Sequence, residues 1–132
     1  AGGNVSVTNS ILWGNGDDIY GTLTSMGYSC IEDGDNNLTN GCMMVDPLFA
    51  DTVYYHVLSK GGYYYNGYFT GGAWRPMGYT QLTSPLIDAG DLLSPYDAEA
   101  APNGRRVNIG AYGNTPVSSR TYRIPGSVFM LK

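Results

Sequence analysis

Val5-Ser6-Val7-Thr8-Asn9-Ser10-Ile11 runs directly into Leu12-Trp13-Gly14-Asn15, and the reading of this stretch decides the fold. From Val5 to Ile11 the side chains alternate with period two, which puts Val5, Val7 and Ile11 on one face of a half-buried strand. Trp13-Gly14-Asn15-Gly16-Asp17-Asp18 then stops the strand with turn residues. The same rhythm continues down the chain. Tyr28-Ser29-Cys30-Ile31, Met43-Met44-Val45, Val53 to Leu58, Pro85-Leu86-Ile87, Val107-Asn108-Ile109 and Ser127 to Leu131 are short apolar runs cut by Gly, Asn, Asp and Pro. No window carries a helical i, i+3, i+4 stripe over three turns, and only residues 94–101 leave room for one helical turn. Asn9, Asn15 and Asn40 fall at turn-like points, where Asn tolerates left-handed backbone.

Runs of this length, about 15–25 residues apart, suit the stacked coils of a solenoid. A small antiparallel sandwich would use strands of the same length. Periodicity leaves the two open.

Composition narrows the function classes. The chain has 132 residues, 19 Gly, 12 Tyr and only 14% charged residues, which suits short strands and long turns in one domain. A net charge of −4 argues against nucleic acid, whose phosphates need clustered Lys and Arg. No apolar run approaches the roughly 20 residues of a transmembrane helix. Ala1-Gly2-Gly3-Asn4 leads straight into the first strand, so the start reads as processed, excised or truncated. Cys30 and Cys42 are either a disulfide, worth about 3 kcal/mol on the chain-entropy model, or two buried thiols.

Six strings separate solenoid from sandwich. Val7 to Asn15 resembles the "xNSILWGN" coil of secreted bacterial right-handed parallel β-helix proteins of the pectate-lyase-like superfold, and Tyr28-Ser29-Cys30-Ile31-Glu32 resembles their next coil. Asp46-Pro47-Leu48-Phe49-Ala50-Asp51 is similar to their "DPLFxD" turn, and Tyr55-His56-Val57-Leu58 to the strand after it. Ser84-Pro85-Leu86-Ile87-Asp88-Ala89-Gly90-Asp91 and Pro102 to Thr115 resemble "SPxIDAGD" and the closing "PNGGRxNxGAYGNT". The order is the family's order. Arg105 departs from it where a second Gly is usual, as do Ala98 and Ala100 in the acidic loop. The resemblance implies the C-terminal coils of a parallel β-helix and their closing segment over 1–115, with an irregular aromatic loop at 59–80. Residues 116–132 read as a tail or the start of a further module. The implied location is extracellular or at the cell surface. The family includes polysaccharide-active enzymes and adhesins, and fold does not choose among them.

Three groups of residues could carry chemistry. Tyr63, Tyr64, Tyr65, Tyr68 and Trp74 lie in a Gly-rich segment. Their faces suit sugar rings or a protein partner, or else they cover the side of the solenoid. Asp88, Asp91, Asp97 and Glu99 form a weak Ca²⁺ candidate without EF-hand spacing; the plainer reading is turn capping and pairing with Arg105 or Arg106. Asp33-Gly34-Asp35-Asn36 is a poorer one. No cofactor is required by any motif. For catalysis, Lys60, Arg75, Arg105 and Arg106 stand in no recognisable lyase motif, and no sequence feature pairs two carboxylates as a glycosidase needs. His56, the only histidine, reads as a strand residue with a satisfied ring. Sequons occur at Asn4 and Asn37.

The expectation is therefore a non-catalytic surface module that binds glycans or partner proteins. The alternatives are part of a polysaccharide lyase or hydrolase, and a self-assembling structural subunit whose free strand edges, or Val128 to Leu131, pair with another chain.

Overall fold

A computed structural model describes residues 4–17, 19, 23–34 and 37–122. Over these the chain is all-β, with no helix, so the single turn expected at 94–101 is only a reverse turn in which Glu99 N donates to Tyr96 O. The strands are β1 (Ser6–Thr8), β2 (Ile11–Leu12), β3 (Ser25–Gly27), β4 (Cys30–Ile31), β5 (Tyr63–Tyr65) and β6 (Ala73–Arg75).

The first two pairings are parallel. β1 lies on β3 with Val7 opposite Met26, and β2 lies on β4 with Ile11 opposite Cys30. Parallel strands need a crossover connection, and here residues 9–24 connect β1 to β3 and residues 13–29 connect β2 to β4. Cys30 bridges onward, again in parallel, to Met43. Ile31 N donates to Met43 O (3.0 Å) and Met43 N to Ser29 O (2.9 Å), so residues 42–45 add a third layer.

Each layer bends at a residue with left-handed backbone. Asn9 (φ 53°), Tyr28 (φ 49°) and Asn40 (φ 50°) occupy the bends, and Asn is among the few side chains that adopt this conformation readily. The bend at Asn9 corrects the expectation that Val7 and Ile11 share a face. Period two holds only along continuous extended backbone, and the turn resets it. Val7 packs with Leu12, Met26, Ile31 and Cys42 in one cluster, whereas Ile11 packs with Cys30, Met43, Leu86 and Ile109 in another.

The two clusters lie on opposite sides of the β2–β4 ladder, since neighbouring residues along a strand point to opposite faces. Leu12, Ile31 and Cys42 look one way; Ile11, Cys30 and Met43 look the other. This settles the cysteines. Both are buried and not joined in a disulfide, divided between the faces of one ladder. Cys30 Sγ instead approaches Val45 O at 3.2 Å.

Residues 84–119 cover the second face. Ile109 N donates to Leu86 O (3.0 Å) and Gly90 N to Val107 O (2.8 Å). Asn9 ties this segment to the first layer: its Oδ1 accepts from Asp91 N (2.7 Å), its Nδ2 donates to Ser94 Oγ (2.9 Å) and its carbonyl accepts from Gly110 N (2.8 Å). Full burial of Leu86 and Ile31 contributes about 1.5–3 kcal/mol each.

Two boundaries differ from the sequence reading. Residues 59–80 are not an irregular loop: β5 and β6 form an antiparallel hairpin pairing Tyr63 with Arg75, Tyr64 with Trp74 and Tyr65 with Ala73. The assigned tail begins inside the body, because Val117, Ser118 and Ser119 are buried and Ser119 Oγ donates to Val57 O. Val128 to Leu131, expected to donate a strand, lie outside the described residues, as do Asp35 and Asn36. No helix among the described residues is long and apolar enough to cross a membrane.

Candidate functional site

The turn after β2 and the hairpin at 49–57 enclose a cleft of about 640 Å³, lined by Trp13, Asn15, Phe49, Thr52 and Tyr55 over a floor of Ile11 and Ala111. Trp13 leaves the end of β2 with part of its ring against the second core cluster. The turn that carries it is anchored by Gly14 N, which donates to Glu32 Oε1 (2.6 Å). On the other wall Phe49 pairs antiparallel with Val57, and Ala50 N donates to His56 O (2.7 Å). Asp51 shapes the tip: its Oδ1 accepts from Tyr54 N (2.6 Å) and Val53 N (2.8 Å). Burial pushes this carboxyl up, but the amides of Tyr54, Val53 and Tyr55 outweigh it and hold it below its ordinary value.

Tyr55 has φ 61°, an uncommon conformation for a bulky side chain, costing about 1–3 kcal/mol. The strained backbone turns its ring outward, 48% exposed, edge-on to Phe49 at 5.1 Å. The cleft thus offers aromatic faces with an amide and a hydroxyl beside them. No Asp, Glu, His, Lys or Arg is among its lining residues.

The residues expected to bind are mostly elsewhere and mostly packed. Tyr63 and Tyr64 are buried in the hairpin. Burial pushes the Tyr63 hydroxyl up in pKa, with Arg75 pulling it back. Tyr64 donates no face to solvent: it meets His56 and Trp74 edge-on, and its hydroxyl accepts from Gly72 N (2.7 Å). Tyr65 and Tyr79 hold the Arg75 guanidinium at 3.9 and 4.2 Å, and Trp74 carries Arg120 at 4.1 Å. Of the five, only Tyr68 is exposed, with its ring on Tyr54. These rings bind the hairpin to the body, because a two-stranded hairpin needs such packing to be stable.

His56 sits at the centre of this packing, stacked on Tyr112 at 3.6 Å. Its Nε2 lies 2.8 Å from Gly67 O and 3.0 Å from Tyr68 O. Both partners are acceptors, so Nε2 carries the proton and donates to them. Nδ1 is buried without a partner. Burial therefore depresses the pKa of His56, against the raising effect of the two carbonyls and Asp51. The sign follows: the unfolded chain takes up a proton as pH falls through about 6.5 and the folded chain resists it, so stability present above that pH is lost below it. The expected loss between about pH 7.5 and about pH 5.5 is at most about 1.4 kcal/mol per pH unit. Urea unfolding at both pH values should show it, and His56→Gln should remove this contribution. Glu99, pushed up by burial against the amides of Asn108 and Asn114, changes stability in the opposite direction as pH falls. A slope unchanged in His56→Gln would move the effect to another group.

The acidic residues do not converge. Asp88 accepts from Gly104 N (3.1 Å) and from Thr121 Oγ1 (2.7 Å). Asp91 accepts from Leu93 N (2.9 Å), and Asp97 is exposed. Glu99 is buried and accepts from Asn108 N (2.7 Å) and Asn114 N (3.0 Å). Among the described residues no three His, Cys, Asp or Glu side chains gather as a metal site needs. Asp91 caps a turn, whereas Asp88 and Glu99 tie together segments distant in sequence. Arg106, expected to pair with one of them, donates instead to the carbonyls of Gly90 (2.6 Å) and Ala89 (3.3 Å).

Sequence reasoning used Trp13, Phe49 and Tyr55 only as marks of the fold. Their signal as a site was large aromatics placed next to turns rather than inside strands. No protein-family model matches the chain, and neither a curated protein nor a solved structure matches it significantly.

Proposed function

We propose that this chain is the closing end of a right-handed parallel β-helix, exported to the cell surface or beyond, that binds a carbohydrate chain in the Trp13–Tyr55 cleft without cleaving it. The cleft carries the reading: three aromatic side chains and two small polar ones surround a space of about 640 Å³, within the usual range of about 300–1,000 Å³ for ligand sites. Aromatic faces suit the C–H faces of sugar rings, and Asn15 and Thr52 suit their hydroxyls. Hydrolysis of a glycosidic bond needs two carboxylates, and elimination needs a base. The lining supplies neither apart from the Tyr55 phenol. The solenoid reading is supported by the parallel layers β1 on β3 and β2 on β4, and by the onward bridge from Cys30 to Met43.

Calorimetric titration with neutral oligosaccharides is expected to give saturable binding. Removing one aromatic anchor should weaken it at least about tenfold, or about 1.4 kcal/mol. Tyr55→Ala is the cleaner variant, since its ring is half exposed; Trp13→Ala also disturbs the core. Tyr68→Ala should leave affinity unchanged. Absence of binding across the panel, or full affinity in Tyr55→Ala, would end this reading, and release of new reducing or unsaturated ends would favour the enzyme alternative.

A further inference from the structure

A second pocket, of about 340 Å³, lies away from the cleft, between the base of the hairpin and residues 120–122. Pro76, Met77, Pro102, Arg120, Thr121 and Tyr122 line it, with Gly61 at its edge. Three separate segments are fixed around it. Arg120 N donates to Gly62 O (2.9 Å), Thr121 N donates to Pro102 O (2.9 Å), and Ser59 Oγ donates to Arg120 O. The backbones are so close at Gly61 that a Cβ there would stand 2.5 Å from Thr121 O.

Among its lining residues the one charged side chain is that of Arg120. The Arg120 guanidinium lies over Trp74 at 4.1 Å, and its Nε is buried with no hydrogen-bond partner. No carboxylate is among the lining residues. Asp88, bonded to the wall through the Thr121 hydroxyl, is already held by that hydroxyl and by Gly104 N. A second cation stands close, with Lys60 Nζ 4.8 Å from the centre of the Tyr122 ring. A buried N–H without an acceptor, here the Arg120 Nε, is costly, and the indole face returns only part of that cost.

We propose that this pocket binds a small organic carboxylate with an apolar body. The planar guanidinium fork matches a carboxylate in geometry and charge. The remaining walls are mostly apolar, two prolines, a methionine and a tyrosine ring beside Gly61, and the Thr121 hydroxyl already donates to Asp88, so the body of the ligand is an aliphatic or aromatic ring rather than a sugar. This site is independent of the cleft and survives if the cleft binds nothing.

Cyclohexanecarboxylate is the probe, with cyclohexanemethanol as its neutral counterpart and inorganic phosphate as an anion without an apolar body. Titration into the full chain, followed by the NMR signal of the Arg120 side-chain N–H, should give a saturable shift with the carboxylate alone. Arg120→Met keeps much of the side-chain length and removes the charge, so carboxylate affinity, read by Trp fluorescence, should fall at least tenfold. The wild-type NMR arm decides the matter even if that variant does not fold. No saturable shift, an equal response to the alcohol or to phosphate, or undiminished affinity in a folded Arg120→Met would overturn the proposal.

Discussion

Leu86→Ala is expected to destabilise the protein by about 2–5 kcal/mol, the range for removing a fully enclosed leucine. Leu86 is wholly buried and joins Cys30 and Ile109, with Ile11, Trp13, Met43, Val45 and Ala89 around them. Its backbone also carries the link to the Val107-Asn108-Ile109 run, through the bond from Ile109 N to Leu86 O. A cavity here weakens the contact between the ladder and residues 84–119 from both sides. At roughly 4–8 °C per kcal/mol for a domain of about 100 residues, the melting temperature should fall by about 10 °C or more. A loss below about 1 kcal/mol by urea unfolding would mean that this segment is not seated on the ladder. The same variant should weaken the cleft, since Trp13 rests on the same cluster.

The second large effect is expected at Asn108. Its side chain is a two-way connector in the interior: Oδ1 accepts from Asp88 N (2.8 Å) and Nδ2 donates to Ser119 O (2.9 Å). Asn108→Ala leaves the buried Ser119 carbonyl and the partly buried Asp88 N–H unpaired, at about 1–3 kcal/mol for a fully buried group and less for a partly buried one, so a total loss of about 2–4 kcal/mol is expected. Asn108→Asp should be worse near neutral pH. It keeps an acceptor for Asp88 N, removes the donor to Ser119, and sets a new carboxylate beside Glu99, whose carboxyl burial already pushes up. Protonation relieves that repulsion, so the gap between the two variants should narrow as pH falls towards about 4.5. Urea unfolding of both variants at about pH 7 and about pH 5 checks this. An Asn108→Asp variant as stable as the wild type at neutral pH would show that the Ser119 contact contributes nothing.

The all-β class was legible because turn residues interrupt every window long enough for a helix, and local propensity agrees with the fold. The faces of the strands were harder to read. Val7 and Ile11 obey period two on paper, but Asn9 in left-handed conformation sits between them, and one such residue sends its two flanks into different cores. The cysteines follow the same rule. Met43, not Cys42, stands opposite Cys30, and that register comes from hydrogen bonds between layers that spacing does not encode.

The tyrosine segment was misread for a different reason. Gly-Gly at 61–62 and 71–72 suggests a loop, yet these glycines lie near the ends of a hairpin. At Gly72 a Cβ would collide with Tyr65 O, so the residue marks close backbone approach. The cleft residues were hidden because aromatics near turns usually serve packing, and only the three-dimensional meeting of Trp13 with Phe49 and Tyr55 makes a surface. Local turn chemistry holds for Asp46, Asp51 and Asp91, while Asp88 and Glu99 accept from distant segments that sequence spacing does not bring together.

The direction in which neighbouring layers run parts Cys30 from Cys42 and underlies the proposed solenoid. Interstrand NOEs on the isotope-labelled protein measure it directly. The account predicts contacts between Val7 and Met26 and between Ile11 and Cys30. Contacts crossed the other way, Val7 to Cys30 and Ile11 to Met26, would mean antiparallel layers and would contradict it.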